Sequence, residues 1–129
     1  MTYVIATTDK SSGDELIKIL EDDTTMVNHG SFATLKAAEA SIREKPPDMA
    51  FIWLGKTELN AFRLASKIRE QSPFTKVVFV GSQRESAAEA FEHEVDGFLL
   101  TPFDKRAVGT LVRRLMKNDS KRYDGRENL

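Results

Sequence analysis

From Met49 to Leu54 the chain is apolar without a break, and Val77 to Val80 repeats the pattern. Runs of this length suit strands, and a strand with no polar position has both faces covered, the condition of an interior strand in a parallel sheet. Such a sheet needs helices on each side of it. The surrounding sequence supplies them.

Tyr3 to Thr7, β-branched and aromatic, reads as a first strand bounded by the polar cluster Thr8 to Gly13. Leu16, Ile17, Ile19 and Leu20 then share one side of a helix, with Ser12 as its expected cap, Asp14 and Glu15 near its positive end, and Asp22 and Asp23 closing it. Thr25 to Val27 is expected to form a brief second strand. Ser31 is expected to open a second helix, in which Phe32, Leu35, Ala38 and Ile42 recur at helical spacing up to the Pro46-Pro47 stop. Leu59 to Gln71 sets Phe62, Ala65 and Ile68 on one face and Arg63, Lys67 and Arg69 elsewhere, with Pro73 in the connection that follows. A short helix carries Ala87, Ala90 and Phe91. Gly97 to Leu100 makes the last strand, Pro102 breaks it, and Val108, Leu111, Val112 and Leu115 stripe a closing helix that starts near Asp104. Residues 1–117 thus read as one domain, and Asn118 to Leu129, polar and without periodicity, as a frayed tail or linker.

Five strands alternating with five helices specify an α/β fold, a doubly wound five-stranded parallel sheet with helices on both faces. The length of 129 residues allows one core, and 40% apolar with 30% charged residues describes a soluble globular chain. No stretch approaches the roughly 18 apolar residues of a membrane span. The net charge of −1 gives no global field toward nucleic acid or an anionic membrane, so neither is expected as a direct partner. With no cysteine, thiolate metal sites and thiol nucleophiles are excluded. The start Met-Thr-Tyr-Val-Ile lacks the basic segment of a secretory signal, and the cytoplasm is the expected compartment.

In doubly wound sheets the site lies outside the carboxyl ends of the strands, where strand order reverses. The residues to weigh are therefore Thr7, Thr8, Trp53, Gly81, Ser82 and Thr101. Here the chain resembles, over about residues 3 to 116, the receiver domains of bacterial response regulators, which have a CheY-like, flavodoxin-like sandwich. Pro47-Asp48-Met49-Ala50-Phe51-Ile52-Trp53-Leu54 is similar to the Pro-Asp and hydrophobic strand that ends in the phospho-accepting aspartate. Ala90-Phe91-Glu92 through Asp96-Gly97-Phe98-Leu99-Leu100-Thr101-Pro102-Phe103 resembles the closing segment of receivers that carry a LytTR-type DNA-binding output.

The resemblance puts Thr7 and Thr8 at the two acidic metal ligands, Trp53 at the phosphoacceptor, Gly81 with Ser82 beside it at the switch hydroxyl, and Thr101 at the lysine. Phosphoryl transfer to a carboxylate needs that nucleophile, a divalent ion held by carboxylate oxygens, and a cation facing the phosphoryl oxygens. None of these residues supplies them. The turn Lys56-Thr57-Glu58-Leu59-Asn60-Ala61 has also drifted from the family's Met-Pro-x-Met-Asp-Gly. What the resemblance implies is a pseudo-receiver: no catalytic residues, no metal, no cofactor, and a cis peptide at Thr101-Pro102.

Trp53 reads as a plug whose indole N–H needs an acceptor, recognition being its other reading. Phe98 is open between a gate on a moving loop and a core or interface residue. Asp9 reads as helix-start polarity, and His29 and His93 as solvated surface residues. Ser11-Ser12-Gly13 has neither the spacing nor the lysine of a P-loop. Lys105, Arg106, Arg113, Arg114 and Lys117, continued by Lys121 and Arg122, make the C-terminal end basic, which the helix dipole alone favours. The resemblance directs attention to the face of the fourth helix, fifth strand and fifth helix, with Ala87, Phe98, Arg106 and Arg113 as the expected surface for a protein partner or a second copy. The alternative is the N-terminal regulatory part of a DNA-binding regulator with a LytTR-like output.

Overall fold

The computed structural model describes residues 1–23, 25–55, 58–93 and 95–127, of which 58, 59 and 118–127 are described by backbone alone. Ten elements alternate: β1 (Thr2–Ala6), α1 (Lys10–Glu21), β2 (Val27–Phe32), α2 (Leu35–Glu44), β3 (Met49–Trp53), α3 (Glu58–Gln71), β4 (Lys76–Gly81), α4 (Arg84–Glu92), β5 (Gly97–Leu100) and α5 (Lys105–Glu127). The strands form one parallel sheet in the order β2-β1-β3-β4-β5, so chain direction across the sheet reverses between β1 and β3. This is the doubly wound sandwich expected from the sequence.

Alternation along the interior strands divides the core in two. Tyr3, Ile5, Met49, Phe51, Val78 and Val80 face α1 and α5, where Leu16, Leu20, Val108, Leu111, Val112 and Leu115 cover them. Val4, Ala6, Ala50, Ile52, Val77 and Phe79 face the other way, onto Ala38 and Ile42 of α2, Phe62, Ala65 and Ile68 of α3, and Ala90 of α4. The apolar runs are continuous because both layers draw on them.

Polar side chains tie the strand starts together. The Asp48 carboxylate accepts from the Thr2 N–H at 2.8 Å and the Thr2 hydroxyl at 3.2 Å, while the Asp48 N–H donates back to Thr2 Oγ1 at 3.0 Å. Asp96 repeats the arrangement one layer on, accepting from the Val77 N–H at 2.8 Å. The Pro-Asp entry to β3 is thus a structural clasp on β1.

Three local expectations are corrected. The cap of α1 is Asp9, whose carboxylate accepts from the Ser12 N–H at 3.1 Å. The helix therefore begins earlier than Ser12, and Asp14 and Glu15 fall beyond its first turn. The second strand is Val27–Phe32, so Ser31 and Phe32 belong to it, and α2 is capped by Thr34, whose hydroxyl accepts from the Ala37 N–H at 3.1 Å. β2 is a sheet edge: ladder bonds to β1 hold it, and a polar sequence serves there as well as an apolar one. The closing helix continues to Glu127, through most of the stretch expected to fray, since extending a formed helix costs far less than starting one. Lys56 and Thr57 of the drifted turn, Glu94 of the closing motif, Asn128 and Leu129 of the tail, and the side chains of Lys121 and Arg122 lie outside the described residues. The cap of α5 is as expected, Asp104 accepting from the Ala107 N–H at 2.8 Å. Among the described residues no helix is long and apolar enough to cross a membrane.

Candidate functional site

An open cleft of about 1030 Å³ lies at the carboxyl edge of the sheet, over the switch between β1 and β3. All six strand-end positions singled out from the sequence line it: Thr7, Thr8, Trp53, Gly81, Ser82 and Thr101. Thr7 is half-buried and its hydroxyl accepts from the Asp9 N–H at 2.9 Å, closing the turn into α1. Thr8 and Ser82 are exposed. Thr101 is half-buried, donates its backbone N–H to the Gly81 carbonyl at 2.8 Å, and precedes Pro102 in a cis peptide, as the resemblance implies.

Trp53 ends β3 half-buried, packed against the α1–α5 side of the core. Its indole N–H donates to Ser12 Oγ at 3.0 Å, the acceptor that a partly buried tryptophan requires. The indole is thereby tied to α1, and Trp53 still lines the cleft instead of filling it as a plug would. Gly13 lets α1 approach this closely: a Cβ there would lie 2.9 Å from the Thr7 methyl. The Ser11-Ser12-Gly13 segment is thereby accounted for by packing and by the indole bond.

Gly81 is buried, and a Cβ on it would meet the tip of the Phe98 ring at 3.2 Å. Phe98 is half-buried, joined to the core on the α3–α4 side, and also lines a second, smaller groove of about 360 Å³ between β5 and α5. Arg106 lines the same groove together with Asp104, Thr110 and Arg114. Ala87 is half-buried on α4, and neither it nor Arg113 lines this groove. Arg113 lies back along its own helix, its guanidinium 3.2 Å from where a Gly109 Cβ would be. Arg114, one residue on, lines the groove.

Sequence reasoning also missed the far wall of the large cleft. Lys36 and Glu39 from α2 and Arg63 and Lys67 from α3 stand there. Their one-turn spacing on each helix was legible, but only the packing of α2 beside α3 sets them face to face. Lys67 Nζ lies 3.2 Å and 3.4 Å from the two Glu39 oxygens. Asp9, on the opposite rim, is engaged in capping α1, as its helix-start reading expects. Among the described residues no three His, Asp or Glu side chains converge as a metal-binding group.

The histidines differ from each other. His93 is exposed, and its ring stacks on Phe62 with centroids 4.3 Å apart and planes 9° from parallel. His29 is half-buried, with Nδ1 shielded from solvent and without a hydrogen-bond partner among the described residues, so the solvated reading does not hold for that nitrogen.

No protein-family model matches the chain. The sensory transduction protein LytT of Bacillus anthracis is 21% identical over 116 residues, covering 90% of this chain and 47% of LytT. The chain thus spans about half the length of the curated relatives it matches. The response regulatory domain of mrkE from Klebsiella pneumoniae superposes with a TM-score of 0.81 at 21% identity, over 94% of this chain and 99% of that one. The receiver domain of the response regulator NarL from Mycobacterium tuberculosis gives 0.77 at 16% identity, over 89% and 95% of the two chains. The fold is that of response-regulator receiver domains.

Proposed function

We propose that this chain, which has the receiver-domain fold of response regulators, is a signal-transduction module that works without phosphorylation and without catalysis, by docking a protein partner or a second copy of itself. The observation that carries the reading is Trp53 at the end of β3, hydrogen-bonded to Ser12, with Thr7, Thr8 and Thr101 on the neighbouring strand ends. An indole offers no oxygen to a phosphoryl group, threonine hydroxyls are poor substitutes for carboxylate ligands of a hard cation, and Thr101 brings no positive charge. The docking surface is the α4–β5–α5 face, centred on the groove with Phe98, Arg106 and Arg114, with Ala87 of α4 and Arg113 of α5 as further residues of that face.

Acetyl phosphate, or beryllofluoride with magnesium, is expected to leave the intact mass and the two-dimensional amide spectrum unchanged. A covalent phosphate, or amide shifts confined to the strand ends on adding beryllofluoride, would refute the reading. The length of the LytT relatives favours a second reading, in which the module is the regulatory half of a longer cytoplasmic DNA-binding regulator. Its test is whether the natural reading frame carries an output domain.

A further inference from the structure

The α2–α3 wall of the large cleft is not explained by the docking of a protein on the α4–β5–α5 face. Of its charged groups, Lys67 is neutralised by Glu39 at 3.2 Å. Lys36 and Arg63 line the same cleft with no ion pair or hydrogen bond among the described residues. The acid on the far rim, Asp9, has a carboxylate oxygen committed to the Ser12 N–H at 3.1 Å. Lys36 and Arg63 are exposed on the rim of the open cleft, and two cations without a partner among the described residues, beside a largely apolar floor, attract a negative group at low salt. That floor includes the half-buried Trp53, whose aromatic surface suits a flat ring. The volume of about 1030 Å³ exceeds the needs of a simple ion and suits a ligand with both an anionic head and a planar body.

We propose that the cleft binds a small organic anion of the mononucleotide class, its phosphate held by Lys36 and Arg63 and its ring set against Trp53. The proposal is independent of the docking reading, since it concerns the wall between α2 and α3 and not the α4–β5–α5 face. Because the chain has a single tryptophan, fluorescence excited at the red edge of the indole band, where its two tyrosines do not absorb, reports on Trp53 alone. AMP, adenosine and inorganic phosphate are the probes, titrated at low salt. AMP is expected to change the emission saturably below about 10 mM and more tightly than either adenosine or phosphate, with the affinity falling as salt screens the cations. Lys36→Ala and Arg63→Ala are each expected to weaken AMP roughly tenfold while leaving adenosine unchanged. Glu39→Gln, which releases Lys67, is expected to tighten AMP, a change of sign that general destabilisation does not produce. Thermal melting of each variant verifies that it is folded. No saturable response to AMP, AMP binding no tighter than adenosine, or an Arg63→Ala protein that is folded and binds AMP as the parent does would each overturn the proposal.

Discussion

Trp53 occupies a position where packing and hydrogen bonding reinforce each other: the ring covers core residues and its N–H is satisfied by Ser12. Trp53→Asp removes both and leaves a carboxylate beside apolar surface, so a loss of about 3 kcal/mol is expected by urea denaturation. The substitution is not expected to create a phosphoacceptor, because Thr7, Thr8 and Thr101 still lack the charges that the reaction uses. Trp53→Phe retains most of the packing and removes only the donor, and about 1 kcal/mol is expected for it. Tyr3 carries a separate prediction. Burial, with the Glu21 carboxylate adding to it, pushes the phenol up from its ordinary value of 10.0. The folded state then holds the phenolic proton more tightly than the unfolded chain does. This contribution is fully present below pH 10 and is lost as pH rises through the folded value, so stability is expected to fall in that alkaline window. Tyr3→Phe is expected to flatten that part of a denaturation-versus-pH series.

Elements in this fold are held at their starts by short polar side chains. Thr34 caps α2, Asp104 caps α5, and Asp48 clasps the first residue of β1 to the first turn of chain before β3. The Asp48 clasp joins positions 46 residues apart, so it acts on sheet assembly as well as on one element. Asp48→Ala leaves the Thr2 N–H and hydroxyl without that acceptor, and about 1–2 kcal/mol is expected, with faster amide exchange at the start of β1. The edge strand β2 shows the opposite economy. It has no fully buried residue, a shifted register against β1 between Tyr3 and Ile5, and Gly30 at φ +149°, with the Phe32 ring where a Cβ would lie. A shifted, polar edge of this kind is a poor template for pairing with another sheet.

For the whole molecule, the large cleft lies on the carboxyl edge over β1 and β3, and the smaller groove lies between β5 and α5. On the proposed reading, a module that phosphate does not switch presents its docking surface in the state it populates, since a partner can select only between states that it binds differently. Self-association through the α4–β5–α5 face is therefore expected to be constitutive and to weaken with salt, because exposed Arg106 and Arg114 of one copy would pair with acids such as the exposed Asp104 of the other. Sedimentation across protein and salt concentrations, with Arg114→Glu as the probe, measures it. A monomer at every concentration would leave a different protein as the partner, and a dimer indifferent to Arg114→Glu would place the interface on another face.

The alternation of elements, the two-layered core and the absence of charged groups at the strand ends were all legible in the sequence. Each is written in short-range pattern: an apolar run, a helical stripe, the identity of the residue that finishes a strand. Even the Asp104 cap and the helix-start role of Asp9 were readable locally. The partner of Trp53 was not, because Ser12 is 41 residues away and reaches the indole only when α1 packs beside β3. Nor was the extent of β2, since an edge strand is defined by its backbone bonds to β1 and not by its side chains. The cationic wall of the cleft and the groove that Arg114 and Phe98 share likewise exist only after the helices have settled on the sheet. Periodicity states which face of a helix is buried, whereas which charges meet across a gap depends on how two helices lie against each other, and that is set by the packing of the whole core.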